Sequence, residues 1–214
     1  MDKRVYKKLI LSAVTAILAL AGNAQAASGY CGDFTGHYGP FDYRKRSEFN
    51  LEIVERFHYT EQVANGVSGE SGYLGGDLDY TLRAVPNHAR ALATLAMVAS
   101  RSKEPQLQGA KFPTECYFER AVRFAPDDGT AYAAYGNFLN RQGKTERAIK
   151  MMQQAVDLEP ENPTFNYNLG LLYVKTRNYD KASTYADKAY SLGFPLPGLR
   201  NQLAEVRKGR SAAK

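Results

Sequence analysis

The chain has 214 residues, 44% of them hydrophobic and 23% charged, and its acidic and basic residues are interspersed. This balance excludes a globally disordered protein, which combines low hydrophobicity with a high net charge. The length suits one ordinary domain or a short repeat array.

The first 26 residues have the pattern of a cleavable secretion signal. Basic residues from Lys3 to Lys8 precede an apolar run from Leu9 to Leu20, and Ala24-Gln25-Ala26 supplies a small-x-small cleavage motif. The apolar run is too short for a membrane-spanning helix, which needs about 20 residues. We therefore predict cleavage before Ala27, a periplasmic or secreted location, and no integral membrane segment in the mature chain.

The formal net charge of +6 overstates the charge of the exported protein. The leader holds four basic residues and one acidic residue, Asp2, and so accounts for half of that surplus. The remainder is too small to indicate a nucleic-acid-binding surface, and no nucleic acid is expected as a partner. The basic residues at 207–210 are interpreted as a solvated chain end.

Cys31 and Cys116 are the two cysteines of the sequence. An oxidising destination favours a disulfide between them, and two cysteines allow one pairing. The bond would join the N-terminal segment to the middle of the chain across a long loop. The alternative is a pair of buried free thiols.

Residues 129–162 align without gaps on residues 163–196, at an offset of 34. Small residues recur at matching places, namely Gly136 and Gly170, Ala148 and Ala182, and Ala155 and Ala189. Gly136 and Ala148 are expected where the paired helices cross, and Ala155 at a close contact with the next repeat. Gly143 should end the first helix of one pair, and Asn178 replaces that turn glycine in the next. This pattern resembles the tetratricopeptide repeat family, whose period is 34.

The resemblance implies an all-α solenoid of helix-turn-helix units, in an exported bacterial protein. The same register predicts an earlier repeat with helices at His88 to Ser100 and Glu115 to Ala125, and about six extra residues within Arg101 to Pro113. Asp77 to Val85 is predicted as one more helix, with Asp77 as its N-cap. Gly198 to Lys208 is predicted as a C-terminal cap helix.

We therefore divide the chain into a signal peptide (1–26), an irregular N-terminal segment (27–76), an array of about three tetratricopeptide repeats (77–196), and a cap helix with a basic tail (197–214). The array meets the minimum of about three repeats that such folds need for stability.

The segment before the array is rich in glycine and aromatic residues and has no clear period. Leu51 to Phe57 suits a short helix or a strand, Glu61 to Val67 a helix capped by Thr60, and Gly72 to Gly76 a hinge. The aromatic arm from Tyr30 to Tyr43 is too apolar to remain solvated. Two interpretations stay open: the arm packs on the array, held by the disulfide, or it docks on a partner.

Motifs for catalysis are absent from the sequence. The histidines at 37, 58 and 88 have no metal-ligand spacing, and we expect His88 in the first turn of a helix and the other two in exposed places. No GxSxG elbow or phosphate-binding glycine loop is present. We expect no catalytic site, no metal and no cofactor, although an enzyme with a site in residues 27–76 stays open as a third hypothesis.

The resemblance also implies a binding surface, the concave groove lined by the first helix of each pair. By register, the peptide-binding residues are Asn137, Asn140, Arg141, Tyr167, Asn168, Leu171 and Lys175. Ala133 and Thr164 would lie among them, and Arg90 and Met97 would extend the groove. Family members that clamp a peptide carboxylate use two asparagines and flanking basic residues. Asn137 and Asn168 match the asparagines, but Ala133 occupies a basic place, and Gly198 and Gln202 occupy the basic places of the third repeat.

These observations favour a non-catalytic adaptor or assembly factor of the cell envelope that binds a protein or peptide in the groove. The alternative is a structural subunit of an envelope homo-oligomer, assembled through the aromatic arm.

Overall fold

The computed structural model describes residues 31–35, 37–102 and 104–212. Across this part of the chain we find ten α-helices, a short 3-10 helix at Tyr43–Lys45, and no strand. The helices are α1 (Glu52–His58), α2 (Glu61–Ala64), α3 (Leu74–Ala84), α4 (Ala89–Ser102), α5 (Thr114–Phe124), α6 (Gly129–Arg141), α7 (Thr145–Leu158), α8 (Pro163–Lys175), α9 (Tyr179–Ser191) and α10 (Gly198–Ala212).

The predicted fold class is confirmed. Helices α4 and α5, α6 and α7, and α8 and α9 form three successive pairs, and one apolar core runs through all of them into α10. None of the described helices is both long and apolar enough to cross a membrane. The predicted signal peptide and its cleavage before Ala27 lie outside the described residues.

Matching N-caps begin the first helices of the second and third repeats. The Asp128 carboxylate accepts from the backbone N–H groups of Thr130 and Ala131, and the Asn162 side chain accepts from the equivalent groups of α8. These bonds satisfy donors that a helix leaves free at its start. The repeat period therefore fixes where α6 and α8 begin.

The turns inside the two pairs use different residues. Gly143 has a φ of +73°, and the equivalent place in the next repeat is held by Arg177, with a φ of +59°. Asn178 was expected to replace the turn glycine, and that prediction is wrong. Its side chain instead caps α9 by accepting from the Lys181 N–H, so the left-handed conformation falls one residue earlier.

The helices of a pair cross at glycine. A Cβ atom on Gly136 would lie 3.2 Å from the Ala148 carbonyl oxygen and 3.3 Å from the Met152 backbone nitrogen. On Gly170 it would lie 2.5 Å from the Leu199 side chain, because α10 packs at this place and buries Leu199 and Leu203. Helix α10 therefore covers the end of the apolar core, as a cap must.

The extra residues lengthen the loop between α4 and α5, the two helices of the first pair. This loop is fixed to α3 through Asp79, which is 6% exposed. Its carboxylate accepts from the Tyr117 hydroxyl at 2.6 Å, from the Lys111 N–H at 3.2 Å, and from the Arg83 guanidinium at 2.8 Å. The inserted residues are thus bonded to the preceding helix.

Residues 51–84 are more regular than expected. Leu51 to Phe57 corresponds to helix α1, and α3 begins at Leu74, so the predicted glycine hinge at 72–76 is partly helical. The prediction that Asp77 caps α3 is wrong, since the N-cap is Tyr73. The Asp77 carboxylate instead accepts from the Glu70 N–H at 2.8 Å and lies 2.9 Å from His58 Nδ1.

Helix α2 is shorter than predicted and ends at Ala64. Thr60 does precede it, but its side chain makes no capping bond and its hydroxyl donates to Glu70 at 3.0 Å. His58 is half-buried, and its ring stacks on Tyr80 with centroids 3.8 Å apart. It is therefore a packing residue rather than an exposed one.

The described part of the aromatic arm packs on the array. Cys31 and Cys116 form a disulfide, with Cα atoms 5.1 Å apart. The buried guanidinium of Arg120 donates to the carbonyls of Cys31 at 3.0 Å and Asp33 at 2.6 Å, and its Cζ lies 4.7 Å from the centroid of the Phe34 ring. Of the two interpretations of the arm, the structure agrees with packing on the array.

A second attachment lies at Asn87. Its side-chain nitrogen donates to Asp42 at 2.7 Å and Asp128 at 2.8 Å, and its oxygen accepts from the Tyr43 N–H at 2.9 Å. A hydrogen bond from Arg44 lowers the pKa of Asp42 to about 2. One buried amide thereby joins the arm, the start of α4 and the N-cap of α6.

His88 is completely buried where the arm meets α4. Tyr43 stacks on its ring at 4.1 Å, and its Nδ1 accepts from the Ala91 N–H at 3.2 Å. The ring proton therefore sits on Nε2, 3.3 Å from a Glu55 carboxylate oxygen. Burial lowers the pKa of His88 to about 3, so the ring is neutral at pH 7.

We expect removal of the disulfide to lower the free energy of unfolding by about 2–4 kcal/mol, because the bond closes a long loop in the unfolded chain. Urea unfolding of the protein with Cys31→Ala and Cys116→Ala measures this loss. Reductant should destabilise the wild type and leave the double variant unchanged. Equal stability of the two proteins under oxidising conditions would contradict the prediction.

His88 should make stability depend on pH. The unfolded chain binds a proton below about pH 6.5, whereas the folded chain does not until about pH 3. The free energy of unfolding therefore falls as the pH drops through this window, by at most about 1.4 kcal/mol per pH unit from this group. Urea unfolding of His88→Asn should show a shallower slope between about pH 6.5 and about pH 4 than the wild type. His37→Asn is the control, and an identical slope in His88→Asn would refute the assignment.

Candidate functional site

The first helices of the three repeats line a groove of about 240 Å³. Helix α4 supplies one wall, α6 the floor and second wall, and the start of α8 the end. The lining residues are Ala89, Ala93, Ala96, Thr130, Ala133, Ala134, Asn137, Arg141, Thr164, Phe165 and Asn168.

Helix α6 directs two kinds of side chain to two sides. Tyr135, Phe138 and Leu139 are buried in the core, whereas Asn137 and Arg141 are exposed one turn apart. Residues four apart share a face of a helix, so these two polar groups point into the groove together. The alanines of α4 keep the facing wall low.

Three of the predicted binding residues meet in this groove: Asn137, Arg141 and Asn168. Ala133 and Thr164, which the register also assigned, line it as well. No hydrogen bond or ion pair joins the side chains of these three polar residues to another described residue, so their donors and acceptors are open to a ligand.

Asn140, Lys175 and Leu171 are not among the lining residues. Lys175 Nζ donates to Asn140 Oδ1 at 2.8 Å, which ties the last turns of α6 and α8 together. Leu171 is half-buried against the apolar core. These predicted residues therefore border the groove or support it.

Tyr167 is buried, although the register placed it in the groove. Its ring stacks on Phe194 at 4.0 Å and meets the edge of Tyr190 at 6.4 Å. Gly198 at the start of α10 approaches its hydroxyl so closely that a Cβ there would lie 2.8 Å from the oxygen. Because the cap helix covers this place in the last repeat, the tyrosine fills the end of the core.

From α4 the register predicted Arg90 and Met97 in the groove, but Ala89, Ala93 and Ala96 line it instead. The contributions of Thr130, Ala134 and Phe165 were not predicted either. A usable signal was present. Ala134 and Asn168 occupy one repeat position, and Thr130 and Thr164 occupy another. Identifying every position of the groove face would have found them.

The lining groups define what the groove can hold. Its volume is below the range of about 300–1,000 Å³ typical of sites for whole small molecules. Two amides, two hydroxyls and a guanidinium can bond a polypeptide backbone or an acidic group, and the alanines and Phe165 can contact apolar side chains. The lining residues include no metal-ligating side chain, and elsewhere in the described chain the group Cys31, Cys116 and Glu119 holds its sulfurs in the disulfide.

Family models match the second and third helix pairs. Residues 136–176 match a model described as TPR repeat, and residues 163–192 match one described as tetratricopeptide repeat. The chain contains tetratricopeptide repeats. The matched residues cover α6 from its middle through to the end of α9, which includes the part of the groove that holds Asn137, Arg141 and Asn168.

Curated relatives are similar to the repeat part alone. Protein O-mannosyl-transferase TMTC3 of Mus musculus is 28% identical over 98 residues, which is 46% of this chain and 10% of the mouse protein. Its Homo sapiens counterpart is 26% identical over 103 residues, or 48% of this chain and 11% of that protein. The chain thus matches about a tenth of the length of these curated relatives.

Solved structures share the fold over most of the chain. The structure of pilF of Pseudomonas aeruginosa is 24% identical, with a TM-score of 0.56 over 78% of this chain and 72% of the other. A crystal structure of MamA protein is 18% identical, with a TM-score of 0.54 over 78% of this chain and 84% of that one. Both likenesses support a tetratricopeptide-type helical solenoid.

Proposed function

We propose that this protein is a non-catalytic adaptor or assembly factor that binds a protein or peptide segment in the groove between α4, α6 and α8. The observation that carries the proposal is the meeting of Asn137, Arg141 and Asn168 in one groove without side-chain partners of their own. Because these groups make no internal side-chain hydrogen bonds, none has to be broken before they bond a ligand.

The bound segment should present backbone amides and an acidic group. The two asparagines can each donate to and accept from an extended backbone. Arg141 supplies a fixed fork of donors that suits a carboxylate. Carboxylate-clamp proteins carry a basic residue at the position that Ala133 occupies in this chain. Arg141 can supply that positive charge instead.

The cell envelope is the proposed site of action. The basic and apolar pattern of the first 26 residues and the cysteine pair both favour export. The O-mannosyl-transferase activity named for the relatives is not part of this proposal, since the likeness spans about a tenth of their length. In an envelope extract, the protein should capture a partner rather than transform a substrate.

The groove is tested by affinity capture from an envelope extract with Asn137→Ala, Arg141→Ala and Asn168→Ala combined. Tyr167 is left intact, since its ring is part of the core. A partner held by the wild type should be lost, with at least about a tenfold weaker Kd from removing three polar contacts.

The matched control combines Lys150→Ala, Gln154→Ala and Asn201→Ala, which removes one cation and two amides from exposed positions outside the groove. It should bind like the wild type. Retention of the partner by the groove variant, at unchanged thermal stability, would place binding on another surface.

A second candidate function is self-assembly through the N-terminal segment. Phe49, Ile53 and Phe57 are spaced by four residues and are 37%, 48% and 54% exposed. Tyr38 and Phe41 extend this apolar stripe through ring contacts of 4.9 and 5.0 Å. Large exposed apolar patches favour protein contacts.

Sedimentation velocity over a range of concentrations tests this candidate. Self-association should appear in the wild type and weaken strongly in Phe49→Ser with Phe57→Ser, because burial of apolar surface drives the contact. Ser68→Ala, an exposed change outside the stripe, is the control. A monomer at all concentrations would remove the self-assembly hypothesis and leave the groove adaptor.

A further inference from the structure

A second and larger cavity, of about 490 Å³, opens beside the inserted loop. The loop residues from Glu104 to Pro113 form one wall, the first two turns of α5 another, and the end of α6 the third. It shares no lining residue with the groove. The loop that carries the six or so extra residues of this repeat therefore forms part of the wall of this cavity.

The cavity carries a surplus of negative charge. Glu104, Glu115 and Glu119 line it, and Lys144 is the one basic lining residue. Lys144 bonds Glu115 at 2.5 Å, and Arg147 bonds the same carboxylate at 2.6 Å. Although burial tends to raise the pKa of Glu115, these bonds and one from Tyr135 lower it overall. This carboxylate is therefore ionised and already paired.

Glu104 and Glu119 have no basic partner within the part of the chain that the structure describes. One Glu119 oxygen lies 3.1 Å from the Cys31 sulfur, but a disulfide sulfur has no proton to donate. Among the described residues, these two carboxylates, one on the loop and one on α5, thus have no counter-charge, and carboxylates of this kind attract a cation.

Thr114 supplies an independent sign of a ligand. It is 3% exposed and lines the cavity, and its hydroxyl has no hydrogen-bond partner among the described residues. Its backbone N–H is satisfied by the Pro105 carbonyl at 2.8 Å. Buried hydroxyls are nearly always bonded, so an unbonded one beside a cavity indicates a polar group that the cavity receives.

The remaining walls are apolar: Ala99, Pro105, Pro113 and Phe138. Lysine and arginine bury their methylene stems against such surfaces while their charged ends reach a polar partner. We propose that this cavity binds a lysine or arginine side chain of a partner polypeptide. The stem lies against the prolines and Phe138, and the charged end is shared by Glu104, Glu119 and the Thr114 hydroxyl.

The probe for this site is N-acetyl-arginine methylamide, compared with the citrulline analogue of the same shape and no charge. Titration of the isotope-labelled protein, with its disulfide formed, is followed by the NMR shifts of backbone amides. The arginine probe should give saturable shifts at Glu104, Cys116 and Gln142, and the citrulline probe should bind at least about 3-fold more weakly. Added salt should weaken the arginine probe selectively.

Two variants test the assigned carboxylates. Glu104→Gln and Glu119→Gln should each weaken the arginine probe by about 3-fold, the effect of losing one partly exposed ion pair. Glu146→Gln, an exposed glutamate that does not line the cavity, is the matched control and should change nothing. Unfolding by urea should show that all three variants remain folded.

The proposal is overturned if the citrulline probe binds as tightly as the arginine probe, or if both glutamine variants bind the arginine probe like the wild type. It is equally overturned if an acidic probe, N-acetyl-glutamate methylamide, binds there instead, or if no saturable shift occurs at these amides. Shifts confined to Asn137, Arg141 and Asn168 would assign the probe to the groove and also reject the cavity. None of these results affects the groove, whose test uses different residues.

Discussion

The close approach of the paired helices α6 and α7 at Gly136 is the constraint on which the groove depends. A methyl group at Gly136 would meet the backbone of α7 at 3.2–3.3 Å, closer than packed interiors allow without adjustment. Because the backbones of α6 and α7 pass so near each other, α6 is held with its opposite face toward the groove. The position of Asn137, and of Arg141 one turn later, thus depends on the missing side chain at Gly136.

The arm and the array form one folded unit because of a buried charge. The Arg120 side chain is fully buried and has no carboxylate within ion-pair distance among the described residues. Burial lowers its pKa, and an isolated buried cation is costly. The carbonyls of Cys31 and Asp33, which both accept from Nη1, and the rings of Phe34 and Phe112 offset part of that cost. Nε and Nη2 have no hydrogen-bond partner among the described residues. Without the arm, this charge would face an unfilled surface, so the disulfide reinforces a contact that electrostatics already requires.

The repeat period predicted the helices of the second and third repeats because these share small residues at matching places and a side-chain N-cap at the start of their first helices. The helices before the array were harder to predict because tertiary contacts determine them. Asp77 suits an N-cap locally, yet its carboxylate is taken by Glu70 and His58, and α3 starts a turn earlier. The groove was predicted in part for a related reason. One repeat position lines the groove in α6 but not in α8: Ala133 is buried yet borders the groove, whereas Tyr167 packs on Phe194 and against the start of the cap helix. The sequence register alone does not show in which repeat the cap helix covers this position.

Departures from the repeat are therefore where this chain becomes specific. The common positions build a generic groove of alanines, threonines and amides. The inserted loop, by contrast, is held in place by Asp79 of α3 and leaves an acidic cavity against α5 and α6. The disulfide lies in the wall of that cavity, since Cys116 lines it and Cys31 belongs to the arm. Locally inconsistent stretches in an otherwise regular fold tend to mark function. Here the arm, the insertion and the disulfide meet at one place, so an exchange of any of them would alter the cavity while leaving the groove intact.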